Sequence, residues 1–493
     1  MTPIKRVVIA GGGTAGWVTA AALSHQLGQI LEISLIESDD IGTIGVGEST
    51  VPPIRVFHQL LGIDEQEFIR AVSATFKLGI WFENWGQIGD RYIHPFGRHG
   101  KPTWLAEFHH FWLHGLRSGM NSELGEYCVE WLAAKQGRFG TSPQSDINYA
   151  YHLDATAYAR FLRRFAESRS VKRIEGKIKS VQQHPTTGFV ESLTLASDRV
   201  VAGDLFIDCT GFRALLIEQT LHTGFEDWSH WLPCDSAAAM QTEITAPPNP
   251  YTCAFAHDAG WRWMIPLQHR MGNGFVYCSR YISDDDAKQK LLQAVSGNAV
   301  RPPFTLKFQP GRRRKTWNKN VVAIGLSSGF VEPLESTSIH VIITAATRLM
   351  QMFPFDGVSD TMVDQFNAES RLEIEKIRDF IILHYHTTDR DDSPFWRYCK
   401  TMDIPDTLTR RVQMFQESAH AYQDAGELFR VDSWIQVLLG QGIVPKHYHP
   451  LPRGMQEHEL ARVLNGLKAS VAQTVAKLPK HQDFINSYCR TTA

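Results

Sequence analysis

Two charged residues stand in stretches that are otherwise apolar or sharply turned, and both could do chemistry. Lys77 interrupts the run Thr75-Phe76-Lys77-Leu78-Gly79-Ile80-Trp81-Phe82, and Glu335 sits in Phe330-Val331-Glu332-Pro333-Leu334-Glu335-Ser336-Thr337. An ammonium can polarise a bound electrophile, and a carboxylate can stabilise a cationic intermediate and accept its proton. Each has an ordinary reading as well. A lysine in an alternating strand is either an edge residue reaching solvent or a buried cation that needs a partner. On that alternation Lys77 shares a face with Gly79 and Trp81. Glu335 also reads as part of a helix N-cap region, with Ser336 and Thr337 as cap residues.

A third constellation is made of glycines. Gly11-x-Gly13-Thr14-Ala15-Gly16 follows the apolar run Val7–Ala10 and precedes a stretch rich in helix formers. Gly11 permits the tight turn, Gly13 lets backbone approach a pyrophosphate, and Gly16 lets helix pack on strand. The helix N-terminus would hold the pyrophosphate through free N–H groups and its dipole. Glu37 ends the next strand, the place for a carboxylate on a ribose hydroxyl, and it would repel a 2′-phosphate. Strand, glycine turn, helix and acid together indicate a dinucleotide site, without separating FAD from NAD.

The elements that must position these groups fall into two styles. Strands are expected at Leu31–Ile36, Thr75–Phe82 and repeatedly between about 175 and 330; Asp64–Val72 reads as a helix. From about 340 the apolar spacing is helical, over Ile342–Met352, Met362–Leu383, Asp406–Glu417 and Glu457–Leu478. The fold class expected is α+β, with an N-terminal Rossmann-type βαβ unit. The expected division is 1–345 as the nucleotide-binding module, with an excursion at about 90–150, and 346–493 as a helical region packed on it.

Composition excludes several classes. The formal net charge of -2 gives no global field for nucleic acid. Apolar runs are strand-sized, well short of a membrane span. The seven cysteines are scattered without a CxxC pair, which suits a reducing cytoplasm rather than a disulfide framework. The N-terminus shows no apolar leader region, so a cytoplasmic protein is expected. His109 and His110 lack carboxylate partners at metal-ligand spacing, and no metal site is read.

Gly45-Val46-Gly47-Glu48-Ser49-Thr50-Val51-Pro52, Phe76-Lys77-Leu78-Gly79-Ile80, Trp261-Arg262-Trp263-Met264-Ile265-Pro266 and the Phe330–Thr337 segment occur in that order. Together they resemble the flavin-dependent tryptophan halogenase family, over roughly residues 4 to 400. Asp204–Arg213 and Ser393–Arg397 are similar to it too. The resemblance implies a flavoprotein monooxygenase-like fold with an added helical substrate region. It implies FAD, supplied as FADH2 by a separate NADH-dependent flavin reductase, which with oxygen and a halide ion yields hypohalous acid. Lys77, paired with Glu335, would pass the halogen to a small electron-rich arene, either by hydrogen-bonding hypohalous acid as an ammonium or by forming a haloamine as a neutral amine.

The same resemblance assigns Gly47, Glu48, Ser49 and Gly325 to the cofactor and the backbone of Thr337 and Ser338 to the halide. Trp261, Trp263, Ile265 and Pro266 become a wall that keeps an organic substrate from the flavin, although core packing alone would also explain the tryptophans. His94, Pro95 and Phe96 would flank the substrate ring; the alternative is an exposed loop histidine. Two departures stand out. Ser338 replaces the usual glycine, which would cost roughly 1–2 kcal/mol if a positive φ were needed there, and halide preference stays open with bromide favoured. The tyrosine pair that clamps free tryptophan is missing, since Tyr398, Tyr422 and Tyr448 are isolated. An indole lacking the amino-acid arm, or a larger indole-bearing molecule, fits better.

Two other readings compete. An aromatic hydroxylase of this fold would carry Gly-Asp after the last flavin strand, where Gly325 is followed by Leu326 and Ser327. A catalytically dead flavin-binding protein would be expected to have lost Lys77 or Glu335. The apolar stripe Leu460, Val463, Leu464, Leu467, Val471 is read as packing on its own domain, with a homodimer surface as the alternative.

Overall fold

A computed structural model describes residues 3–41, 47–142 and 145–491. Gly45 and Val46 of the second glycine-rich motif lie outside the described residues. The chain divides into two units, each built from three stretches. The first comprises Met1–Val72, Leu153–Leu232 and Phe308–Glu375; the second comprises Ser73–His152, Pro233–Lys307 and Lys376–Ala493. The expected single cut at 345/346 does not describe this division. Strand pairing between distant stretches decides it, and local periodicity does not report such pairing.

The first unit is organised by a six-stranded sheet in the order Trp317–Asn318, Val321–Ala323, Leu205–Asp208, Arg6–Ala10, Glu32–Glu37, Lys172–Glu175. All pairs are parallel except the outer Trp317–Asn318 edge. Numbering the parallel strands along the chain gives the order 3-2-1-4-5, the dinucleotide-binding arrangement. The two inner strands are nearly free of polar residues, as expected when both faces are covered. Val8, Ala10, Ile36, Phe206 and Ala323 pack in one apolar cluster with Leu193, Leu195 and Leu216. Helices Thr14–Leu27 and Ala155–Glu167 belong to the same unit. The second starts at Asp154, whose carboxylate accepts from the Ala157 N–H at 2.9 Å, a side-chain N-cap.

The second unit is organised by a seven-stranded sheet ordered Phe304–Lys307, Ser236–Thr242, Met271–Tyr277, Gly260–Pro266, Thr252–His257, Gly79–Glu83, Arg91–Pro95. Its pairs are antiparallel except that Thr252–His257 runs parallel to Gly79–Glu83. Helix Asp284–Ala294 buries Ala287 and Leu291 against Ala238, Met240, Phe275 and Tyr277.

The expected continuous strand Thr75–Phe82 is broken at Leu78. Thr75–Lys77 pairs with Ala150–Leu153, whereas Gly79–Glu83 joins the large sheet. Leu78 turns the chain between them, donating its N–H to Pro250 and accepting from Phe96 at 2.8 Å each. The alternation that put Lys77 on one face with Gly79 and Trp81 therefore does not run through. Gly79 is required at the break, because a Cβ there would collide with the His94 carbonyl.

Helix Glu457–Ala476 buries Leu460 and Leu464, while Val463 is 45% exposed. Its neighbours include Val129–Lys135 and Phe108–Arg117 of the same unit, so much of the apolar stripe is used in packing.

Candidate active site

In the first unit the chain leaves strand Arg6–Ala10 into Gly11, whose φ is 109°. A Cβ at Gly11 would meet the Cys209 carbonyl, at the end of the neighbouring parallel strand. This is the point where strand order reverses, outside the carboxyl ends, and such crevices take dinucleotides. A Cβ at Gly16 would strike the Gly11 carbonyl, so the helix packs on the turn only as glycine allows. Gly13 has open space where a Cβ would stand, and it caps the helix without a side chain. Ala15 approaches Gly325, whose φ is 81°; a Cβ on Gly325 would lie 2.7 Å from that of Ala15. Two expected cofactor segments thus meet.

Glu37 adjoins the turn and is already engaged. Its carboxylate accepts from Arg173 Nε at 2.6 Å and Trp17 Nε1 at 3.2 Å, and a Cβ on Gly12 would fall on it. Asp208, beside the same crevice, is satisfied locally by the N–H groups of Thr210, Leu216 and Ile217 and by the Thr210 hydroxyl. The glycine cradle, the free approach at Gly13 and the acid at the strand end fit FAD.

Glu48 and Ser49 form a short strand after Gly47, whose φ is 85°. Glu48 keeps some surface, yet the protein mass around it pushes its carboxyl up to about 7. Folding then binds a proton that the unfolded chain releases near 4.5. This group's contribution to stability is full below that value and is lost as pH rises to about 7. Glu48→Gln is expected to flatten the fall in Tm between pH 5 and 7. An unaltered slope would contradict this account.

The turn Pro333–Glu335 leads through Ser336 and Thr337 into helix Ser338–Gln351. Glu335 is 1% exposed. The left-handed residue is Ser336, with φ 61°, not Ser338. Ser338 is the first helical residue, so the strain anticipated there falls two residues earlier. Thr337 is fully buried but makes no capping bond. Among the described residues its Oγ1 has no hydrogen-bond partner. The first-turn N–H groups of such a helix have no intrahelical acceptor. A buried hydroxyl and free amides at one point suit a small anion.

In the second unit Lys77 is fully buried, which removes the surface reading. Its Nζ lies 5.1 Å from the centroid of the Phe96 ring, a cation–π distance. The segment carrying Phe96 is clamped by residues that sequence reasoning missed. The Phe96 carbonyl accepts from Arg430 Nη2 at 2.6 Å and Asn148 Nδ2 at 3.0 Å. The Asn148 N–H donates to Glu130 at 2.7 Å, a carboxyl that burial pushes upward. His94 is buried on strand Arg91–Pro95 rather than exposed in a loop. Its ring is 5.6 Å from Phe380 and 6.2 Å from Phe429.

Trp261 and Trp263 are buried on one face of strand Gly260–Pro266, 6.2 Å apart at 57°. Gly274 is opposite Trp263, and a Cβ there would enter the indole ring. Ile265 and Pro266 are buried on the same strand. Lys77, His94, Phe96 and the tryptophans therefore belong to the second unit; the glycine turn, Glu335, Thr337 and Ser338 belong to the first.

These features can be set beside known proteins. A family profile described as "Tryptophan halogenase" matches residues 6–457. The 7-chloro-L-tryptophan 6-halogenase KtzR of Kutzneria sp. (strain 744) is 34% identical over 523 residues, covering 97% of this chain and 98% of that protein. Among solved structures, Xcc4156, a flavin-dependent halogenase from Xanthomonas campestris, aligns with a TM-score of 0.98 at 52% identity, covering 100% of this chain and 99% of that chain. BrvH, a flavin-dependent halogenase from Brevundimonas sp. BAL3, gives a TM-score of 0.95 at 43% identity, over 99% of both. A dinucleotide crevice and a buried lysine, in a chain matched end to end by such proteins, leave one assignment: it belongs to the tryptophan halogenase family and is an FADH2-dependent halogenase.

Proposed function

We propose that this enzyme oxidises a halide to hypohalous acid and passes the halogen through Lys77 and Glu335 to an indole-type arene. The balance is FADH2 + O2 + X⁻ + H⁺ giving FAD, HOX and water, followed by ArH + HOX giving ArX and water. Bound FADH2, delivered by a separate reductase, supplies the two electrons. The chain's own residues do the rest. The glycine turn and Glu37 hold the dinucleotide. The Thr337 hydroxyl and the backbone N–H groups of Thr337 and Ser338 hold the halide. The wall of Trp261, Trp263, Ile265 and Pro266 keeps the arene from the flavin. Lys77 donates a hydrogen bond to the oxygen of HOX, which weakens the O–X bond towards the ring. Glu335 stabilises the cationic ring and accepts its proton. His94, Pro95 and Phe96 flank the ring.

The observation that carries this reading is the fully buried ammonium of Lys77 against Phe96. A charge is removed from water at such cost that it persists where it is used or firmly paired. The isolated tyrosines support a substrate without an amino-acid arm. Tyr448 is bonded to His114 at 2.8 Å and Tyr422 lies under Arg411. The test is a bromide reaction with FAD, NADH, a flavin reductase, air and indole, followed by mass spectrometry. Bromoindole supports the reading, and hydroxyindole in its place would favour an aromatic hydroxylase.

Thr337→Val keeps the shape and removes the unpartnered hydroxyl. Loss of a hydrogen bond to an anion is expected to raise the halide KM about tenfold or more, in bromide titrations at saturating FADH2. An unchanged KM would remove Thr337 from the halide site.

A further inference from the structure

Strand Thr75–Lys77 has only three residues, too few for its ladder alone to fix a buried lysine. A chain of buried polar groups does so. Thr75 Oγ1 lies 2.6 Å from the Pro266 carbonyl oxygen and 2.9 Å from His152 Nδ1. His152 Nε2 lies 3.0 Å from Thr252 Oγ1. Thr75 and His152 are fully buried and Thr252 nearly so.

Proton counting gives this chain a direction. The Pro266 carbonyl has no proton, so the short contact to it uses the single hydrogen of the Thr75 hydroxyl. Thr75 must then accept from His152, which places a proton on Nδ1. Burial, with the nearby charge of Lys77, holds the imidazole well below its usual pKa, so it is neutral and carries one N–H only. Nε2 is therefore bare and accepts from the Thr252 hydroxyl. The order is Thr252 to His152 to Thr75 to Pro266, each donating to the next. Pro266 ends the strand that carries Trp261 and Trp263, and Thr252 begins the strand parallel to Gly79–Glu83. Thr75 and Lys77 project from the same face of their short strand. Their cross-strand partners are His152 and Ala150, the latter too small to crowd the lysine stem.

We propose that His152 is a positioning residue for Lys77, holding the Thr75–Lys77 strand to the tryptophan-bearing sheet so that the ammonium stays in register for halogen transfer. This rests on the reading of Lys77 as catalytic. His152 touches neither halide nor arene in this role. Its loss should leave formation of oxidised halide intact and lower the share that reaches the ring.

The experiment measures that share. Bromoindole and free oxidised bromide, trapped with monochlorodimedone, are quantified together for the whole enzyme at saturating FADH2. Thr75→Val, which is isosteric, is expected to lower the ratio of bromoindole to trapped bromide about tenfold, the scale of a small misplacement of a catalytic group. Thr75→Ser should restore the wild-type ratio. At the other end, His152→Asn keeps a donor at the Nδ1 position, whereas His152→Gln keeps only the group at Nε2. Asn should therefore retain the ratio better than Gln, which covers the case of Thr75→Val folding poorly. A Thr75→Val enzyme with the wild-type ratio, or one losing both products in equal proportion, would overturn the role of His152. Bromoindole formed undiminished by Lys77→Ala in the same series would instead overturn the reading of Lys77, and this inference with it.

Discussion

Replacing Lys77 with alanine is expected to lower arene halogenation by a factor on the order of 10³, within the range that a positioned proton donor contributes. Lys77→Met, close in length but uncharged, should do the same, which separates loss of the ammonium from loss of volume. Neither change touches the glycine turn, so FAD affinity measured by fluorescence should match wild type. Stability should not suffer in proportion, since removing a buried charge also removes its desolvation cost. A further sign is available at His152. Burial above all, with the nearby charge of Lys77 as a lesser cause, holds that imidazole well below its usual pKa, so Lys77→Met, which removes that charge, should raise it, a shift readable by NMR of the histidine ring. Bromoindole production at more than a tenth of the wild-type rate would remove Lys77 from the chemistry.

Glu335→Gln is expected to lower kcat about 10²-fold with little change in substrate KM. The carboxylate is 1% exposed and lies in the tight turn before Ser336, and the amide keeps its shape. The variant therefore removes the negative charge and the proton acceptor while leaving packing in place. A carboxylate that only shaped the turn would lose stability on substitution and keep its rate. Thermal melting beside steady-state kinetics distinguishes the two, and an unchanged kcat would return Glu335 to a structural role.

How far the sequence announced these features depended on whether they are encoded locally. The dinucleotide turn was legible because Gly11, Gly13 and Gly16 stand at fixed offsets between a strand and a helix, and Glu37 follows at the next strand end. Gly11 and Gly16 answer steric demands imposed by the Cys209 and Gly11 carbonyls, while Gly13 leaves open space at the helix start. Lys77 was legible as a candidate only through its place in a motif that resembles the halogenase family, because a charge inside an apolar run also fits an edge lysine reaching solvent. The break at Leu78 was not, because both halves of the run are apolar and only the partners, Ala150–Leu153 on one side and the large sheet on the other, differ. The strain placed on Ser338 belongs to Ser336, since the helix boundary falls between them and boundaries are poorly marked by residue type. His152, Thr252 and Arg430 were missed because they are far from Lys77 or Phe96 along the chain. One cue was present for His152, a polar residue in the otherwise apolar Ala150-Tyr151-His152-Leu153.

The cysteines bear on how long such a catalyst survives its own reaction. All seven are buried as free thiols, and burial pushes Cys253 up to about 12 and Cys128 and Cys209 upward as well. Thiols react with oxidants chiefly as exposed thiolates. A halogenating agent that escapes before reaching its ring would thus find none of them in reactive form. Operational half-life would then be set by other oxidisable side chains at the surface.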